Sequence, residues 1–126
     1  MKKYKVIIAD QADHDLRGIF EYIAYNLFSP DNAAGQLYRL EKAIESLDTF
    51  PEGHRLFECE PWESRNLRVL PVDNYCVFFI PDNVKMTVTV IRVIYGGRDI
   101  DEQLNSFTKY HDKLPNDLNG RSKNTN

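Results

Sequence analysis

Apolar positions along the chain follow several rhythms, and each change of rhythm marks a change of element. Residues 4–9 (YKVIIA) are a short run rich in β-branched side chains, which predicts a first strand. Leu16, Ile19, Phe20, Ile23 and Leu27 then recur at steps of three and four, one apolar stripe on an amphipathic helix reaching about Phe28. Asp10 is placed to cap that helix, with Asp13 and Asp15 in a first turn where the helix dipole favours negative charge. Ser29-Pro30 breaks the chain and restarts it, because serine suits an N-cap and proline suits the first helical position. Leu37, Leu40, Ile44 and Leu47 form a second stripe that ends near Phe50-Pro51. Two helices joined by so short a link pack as an antiparallel hairpin, and their apolar faces need a sheet to cover.

The second half of the chain alternates instead. Residues 52–63 (EGHRLFECEPWE) have no period and predict a turn with an irregular approach to the sheet. Residues 64–72, 75–80 and 86–95 read as three more strands, separated by turns at Asp73-Asn74 and Pro81-Asp82-Asn83. In the middle one, Tyr75, Val77 and Phe79 share one face while Cys76, Phe78 and Ile80 share the other. Both faces are apolar, so this strand is expected to be central. Leu104, Phe107 and Tyr110 suit a short last helix, and residues 112–126 have almost no apolar content, as a disordered tail does. The expected architecture is α+β, in the order β-α-α-β-β-β. A helical hairpin packs on one face of a mostly antiparallel four-stranded sheet, with a short C-terminal helix, in one domain over residues 1–111.

Composition agrees with a single soluble domain: 126 residues, 42% hydrophobic and 28% charged. That length buries a core without disulfides or a metal. Cys59 and Cys76 have no CxxC spacing and sit among aromatic residues, so they read as half-buried thiols. No secretory signal or membrane-length apolar run is present, and a cytoplasmic protein is expected. No cofactor or metal is implied.

The formal net charge of −3 argues against indiscriminate binding to nucleic acid. The carboxylates nevertheless crowd the N-terminal half, while Arg65, Arg68, Arg92 and Arg98 lie in the strand segment, which leaves a basic face available. Gly96-Gly97 immediately before Arg98 lets that guanidinium project from the end of the sheet, where it suits an anion or an acidic partner.

This order of elements, together with SLDTFPEG at the end of the second helix, the strand pair LRVLPVDNYCVFFI and the closing RVIYGGRDI, resembles the RelE/ParE superfamily of toxins from type II toxin–antitoxin modules. The resemblance runs from Tyr4 to about Leu104. It implies a bacterial growth-inhibiting protein neutralised by a cognate antitoxin, which lays a helix or an extended segment over the helices and sheet as a hetero-oligomer. Tyr22, Tyr25, Tyr38 and Phe28 are expected contacts for that antitoxin, itself expected to be acidic or amphipathic. Two activities occur in this superfamily, mRNA cleavage on the ribosome (an mRNA interferase, hence an endoribonuclease) and poisoning of DNA gyrase. A shared fold does not choose between them.

For the ribonuclease reading, the resemblance points to Arg98, Arg68 and Arg65 for phosphate and to Tyr95 or His54 for stacking and proton transfer. For the gyrase reading, the target-binding residues are Arg98, Tyr95, Gly96 and Gly97. Trp62 is expected as a core anchor or part of the antitoxin interface. One departure bears on the choice. Nucleolytic relatives carry an arginine directly after the tyrosine of the third strand, and here that place is Cys76, whose thiol is a poor substitute for a guanidinium. With the acidic balance, this favours a ParE-like inhibitor over a nuclease. A third reading is an inactive module that serves only as the antitoxin's partner. The expectation common to the active readings is that Arg65, Arg68 and Arg98 gather on one exposed face backed by the helices.

Overall fold

A computed structural model describes residues 3–96 and 100–104. The elements are β1 (Lys5–Ile8), α1 (Asp10–Glu21), α2 (Pro30–Glu45), β2 (Arg55–Leu56), β3 (Arg68–Val72), β4 (Tyr75–Asp82), β5 (Thr87–Tyr95) and α3 (Ile100–Gln103). The chain divides after Gly96 into two compact units, and α3 belongs to the second. The expected boundary at residue 111 and the tail beyond it lie outside the described residues.

The sheet is ordered β1-β5-β4-β3-β2. β1 runs parallel to β5, and every other pair is antiparallel. β4 is therefore central, as its two apolar faces require. The fifth strand, beyond the four expected, is β2. It has only two residues, Arg55 opposite Val69 and Leu56 opposite Arg68, and so short a strand shows no period in sequence. β3 begins at Arg68 rather than at residue 64, because Glu63–Arg65 coil into a 3-10 turn and Asn66 takes φ 64°. β4 runs two residues further than expected, with Pro81 still in register opposite Val88.

The helices depart from the expected stripes at one place. Ala9, not Asp10, occupies the cap position of α1, so Asp10 and Asp13 act on the exposed amides through charge rather than as caps. After Glu21 the backbone widens into a π-helical turn, Tyr22–Asn26, and the Leu27 amide donates to the Tyr22 carbonyl at 3.0 Å. A π turn holds an extra residue, which rotates the side chains beyond it by about 100°. Leu27, assigned by spacing to the buried stripe, is thus 54% exposed. Phe28 then takes φ 53° and is 86% exposed. Pro30 opens α2 as expected, and the Ser29 carbonyl accepts from Ala33, while the Ser29 hydroxyl accepts from the Asn32 side chain at 2.6 Å.

Between hairpin and sheet lies the main core: Ala12 and Leu16 from α1, Leu40 and Ile44 from α2, Leu47, and Val77, Phe79, Val88, Val90 and Val93 from the sheet. β5 contributes even-numbered residues up to Val90 and then odd-numbered Val93. The shift of parity comes from a bulge: Phe78 faces Arg92 but Phe79 faces Val90, leaving Ile91 over. On the opposite sheet face, Phe57 stands edge-on to the buried Phe78 at 5.4 Å, and Trp62 and Leu67 are buried in the loop before β3.

The bulge region is tied to α1 by a buried ion pair. Arg92 Nε donates to Asp15 Oδ2 at 2.8 Å and Arg92 Nη2 to Asp15 Oδ1 at 3.0 Å; the Val93 amide also donates to Asp15 Oδ2, at 2.9 Å. The spacing puts Asp15 in the first turn of the helix and Arg92 in the strand segment that leaves a basic face available; both side chains are withdrawn from solvent. Losing one member leaves the other charged and unpaired inside the protein. Asp15→Ala is therefore expected to lower stability by about 3 kcal/mol or more, read from urea unfolding. The double variant Asp15→Leu, Arg92→Met should recover most of that loss. Equal loss in both would contradict the burial argument.

Candidate functional site

The sequence-derived candidates fall at two separate places. Arg68 lies opposite Phe79, and Tyr95 lies opposite Tyr75, four residues away along β4 and on the other side of it. Four residues of strand are about 13 Å, so the two side chains do not share one pocket.

Near the β2 edge, Arg68 is committed to internal bonds. Its Nη1 donates to the carbonyls of Glu52 at 3.1 Å and His54 at 2.9 Å, and its Nε and Nη2 donate to Asn66 Oδ1 at 3.3 and 2.9 Å. The guanidinium clamps the loop that leads into β2, and a phosphate must compete with these bonds. His54 is held in the same clamp through its carbonyl, and its ring stands edge-on to Phe79 at 5.6 Å. Arg65 lies over the Trp62 ring at 5.0 Å, a cation–π contact, and Trp62 itself is a core anchor, 2% exposed. Arg68 is thus held by acceptors of the loop and Arg65 lies against Trp62. Gly97 and Arg98 lie outside the described residues.

Sequence reasoning passed over Arg55. It is exposed, forms no ion pair among the described residues, and is the cation that acts on Cys76. Burial pushes the Cys76 thiol up from its ordinary value and Arg55 pulls it partly back, so the thiol stays protonated at neutral pH. The only signal for this neighbourhood is the register, which sets Arg55 opposite Val69, Val69 opposite Phe78, and Cys76 two residues before Phe78.

At the other end, Tyr95 is 55% exposed and meets Tyr75 edge-on at 5.9 Å. The Tyr75 hydroxyl is pushed up by burial and then by Tyr95 and Tyr22, which groups three tyrosines from β4, β5 and the turn after α1. Gly96 donates its amide to the Asn74 carbonyl at 2.8 Å, and a Cβ there would stand 3.2 Å from the Cys76 sulfur. Close approach is what calls for glycine at this position. Beside this corner, Asp73 takes φ 55° in the β3–β4 turn. Its carboxylate accepts from Arg39 Nε at 2.7 Å and Gln36 Nε2 at 2.9 Å. The hydrogen bonds from Arg39 and then Gln36 hold that carboxyl below its usual range. Its stabilising contribution is therefore complete above the ordinary carboxylate pKa and lost as pH falls through the lowered one.

Tyr22, Tyr25, Tyr38 and Phe28 are all exposed on the hairpin. No helix among the described residues is long and apolar enough to cross a membrane. Among those residues, no three His, Cys, Asp or Glu side chains gather as metal ligands do.

A family model described as the ParE toxin of the type II toxin–antitoxin system, parDE, matches residues 6–100. The chain belongs to this ParE toxin family. Among solved structures, this ParE-family toxin is similar to a chain of the chromosomal ParDE system from P. aeruginosa, at 14% identity and TM-score 0.61, covering 73% of this chain and 95% of that one. It is also similar to a chain of the RelBE2 toxin–antitoxin complex from Mycobacterium tuberculosis, at 20% identity and TM-score 0.54, covering 75% and 93%. These likenesses are of fold. Among curated proteins, none matches the sequence.

Substitutions at the two arginines should behave differently in this toxin. Arg68→Ala should cost about 1.5–3 kcal/mol, as lost bonds to a charged group do, whereas Arg55→Ala should stay within about 0.5 kcal/mol; thermal melts separate them. At pH 7.5 Cys76 should react slowly with iodoacetamide, its rate still climbing above about pH 9. Because Arg55 lowers the thiol's pKa, Arg55→Ala should slow Cys76 further at a given pH; a faster reaction would show that the pairing is misread.

Proposed function

We propose that this ParE-family toxin is neutralised by a cognate antitoxin and stops growth by binding a large target, with DNA gyrase favoured over ribosome-bound mRNA. Tyr95 and Gly96, at the sheet corner, are its target-binding residues in the structure, and the family resemblance adds Gly97 and Arg98. What carries this reading is the state of Arg68. Its guanidinium is spent on two carbonyls and an asparagine, so the strand has no ready clamp for a scissile phosphate. The neutral, half-buried thiol of Cys76, where nucleolytic relatives carry arginine, points the same way. An exposed aromatic ring, with an arginine three residues on in sequence, suits a protein target, because such residues supply most of the energy in interfaces.

The endoribonuclease reading is second, and Arg55 favours it. Arg55, an exposed cation on β2 whose charge acts on Cys76, offers a phosphate contact. Induced expression separates the readings. Gyrase-dependent DNA breaks with intact transcripts are the expected result, and cleavage within translated codons would replace the first reading with the second. Arg98→Ala or Tyr95→Ala should weaken target binding by about 30-fold, the effect of removing a hot-spot side chain, and relieve growth inhibition. Harmless expression of the unaltered chain would leave only the inactive binding module.

A further inference from the structure

The loop that closes the β3–β4 hairpin has two residues, Asp73 and Asn74, because Val72 pairs with Tyr75. Asp73 takes φ 55°. A positive φ in a loop this short favours glycine, which has no Cβ to crowd the backbone. The carboxylate therefore stands at a place that the backbone alone would give to another residue.

Its partner on α2 is out of place in the same sense. Gln36 shares the buried face of α2 with Ala33, Leu40 and Ile44, and only 8% of it is exposed. An aliphatic side chain would add hydrophobic stabilisation there, whereas a buried amide has to be matched by a hydrogen bond. The two exceptions meet: Gln36 Nε2 donates to Asp73 Oδ2 at 2.9 Å. Arg39, three residues on and on the same side of the helix, donates from Nε to the same oxygen at 2.7 Å. This arginine–carboxylate pair is half exposed and adds little stability by itself.

From Asp73 the connection reaches the sheet corner in one residue. The Asn74 carbonyl accepts the Gly96 amide at 2.8 Å, just beyond the Tyr75–Tyr95 pair. That bond holds Gly96 against Cys76, where a Cβ would stand 3.2 Å from the sulfur. Tyr95 directly precedes Gly96, and its ring stands edge-on to that of Tyr75, directly after Asn74. A turn free to rock carries the Asn74 carbonyl with it and loosens both contacts.

We propose that Gln36, Arg39 and Asp73 are positioning residues for the target-binding corner: the two α2 side chains fix the β3–β4 turn, and the turn fixes Gly96 and Tyr95. This rests on the reading of that corner as the surface that meets the target. An exposed aromatic side chain binds more tightly when it is ordered beforehand, since less freedom is lost on contact. That gain accounts for a glutamine where burial favours an aliphatic residue and an aspartate where the turn favours glycine.

The test uses the full chain with Asp73→Gly, Asp73→Asn and Gln36→Leu. Glycine suits the turn and leucine suits the buried position, so these two variants should fold, with melts close to that of the unaltered chain. Amide exchange at Gly96 should nevertheless quicken at least about tenfold in each, as loss of a local anchor allows. Ala9, whose amide donates to the Val90 carbonyl on another part of the sheet, should keep its rate. Cys76, no longer covered by Gly96, should react faster with iodoacetamide, followed at that residue by mass spectrometry. Asp73→Asn keeps an acceptor oxygen for both donors and should stay nearer to the unaltered chain than to Asp73→Gly in both readings. A merely structural bond predicts a lower melt with exchange quickened at Ala9 and Gly96 together. That result, or unchanged exchange at Gly96, overturns the proposal. In cells, weaker growth inhibition by Asp73→Gly supports it, and undiminished inhibition overturns it while the toxin reading stands. Harmless expression of the unaltered chain overturns the toxin reading itself, and the exchange and alkylation rates still decide whether Asp73 holds the corner.

Discussion

The ion pair between Asp15 and Arg92 is the constraint on which the arrangement of hairpin and sheet depends. It is almost fully withdrawn from solvent on the arginine side, and it also takes up the Val93 amide at the bulge of β5. An ion pair of this kind adds little net stability over a well-packed apolar contact. Its effect is registration: only one placement of α1 over β5 satisfies both charges and the amide. Leu16, one residue beyond Asp15, is thereby seated in the core, while Val93 enters the same core from the bulged strand.

Two further polar anchors hold the ends of the same assembly. Asp73, in the β3–β4 turn, receives Gln36 and Arg39 and so ties α2 to the far end of the sheet. Arg68 gathers the carbonyls of Glu52 and His54 and the side chain of Asn66, which fixes the loop from the end of α2 into β2. Each anchor joins segments far apart in the chain, and each uses a charged residue that would otherwise be available at the surface. The number of arginines free to meet a target is smaller than the sequence suggests.

Among the described residues, three exposed regions differ in chemistry. The corner at Tyr95 and Gly96 is aromatic and closely packed against Cys76. The hairpin presents separate aromatic side chains, Tyr22, Tyr25, Phe28 and Tyr38. The β1 edge offers outward-facing strand backbone above an acidic groove. The edge lies on β1 and the corner on β5, its neighbour in the sheet.

The order of elements, the hairpin restart at Ser29-Pro30, the central position of β4 and the family resemblance were all legible in the sequence, because each depends on local periodicity, turn chemistry or short-range spacing. β2 was not, since two residues carry no period. Nor was the exposure of Leu27, because a π turn changes the helical repeat without a distinctive composition. The candidate site was legible only as a set of residue types. Arg65, Arg68, Arg92 and Arg98 look alike in one dimension, yet Arg92 is buried against Asp15, Arg68 is enclosed by carbonyls and Arg65 lies over Trp62. Which guanidinium is spent inside the protein and which is left for a ligand depends on acceptors that can lie tens of residues away, and those distances exist only after the chain has folded.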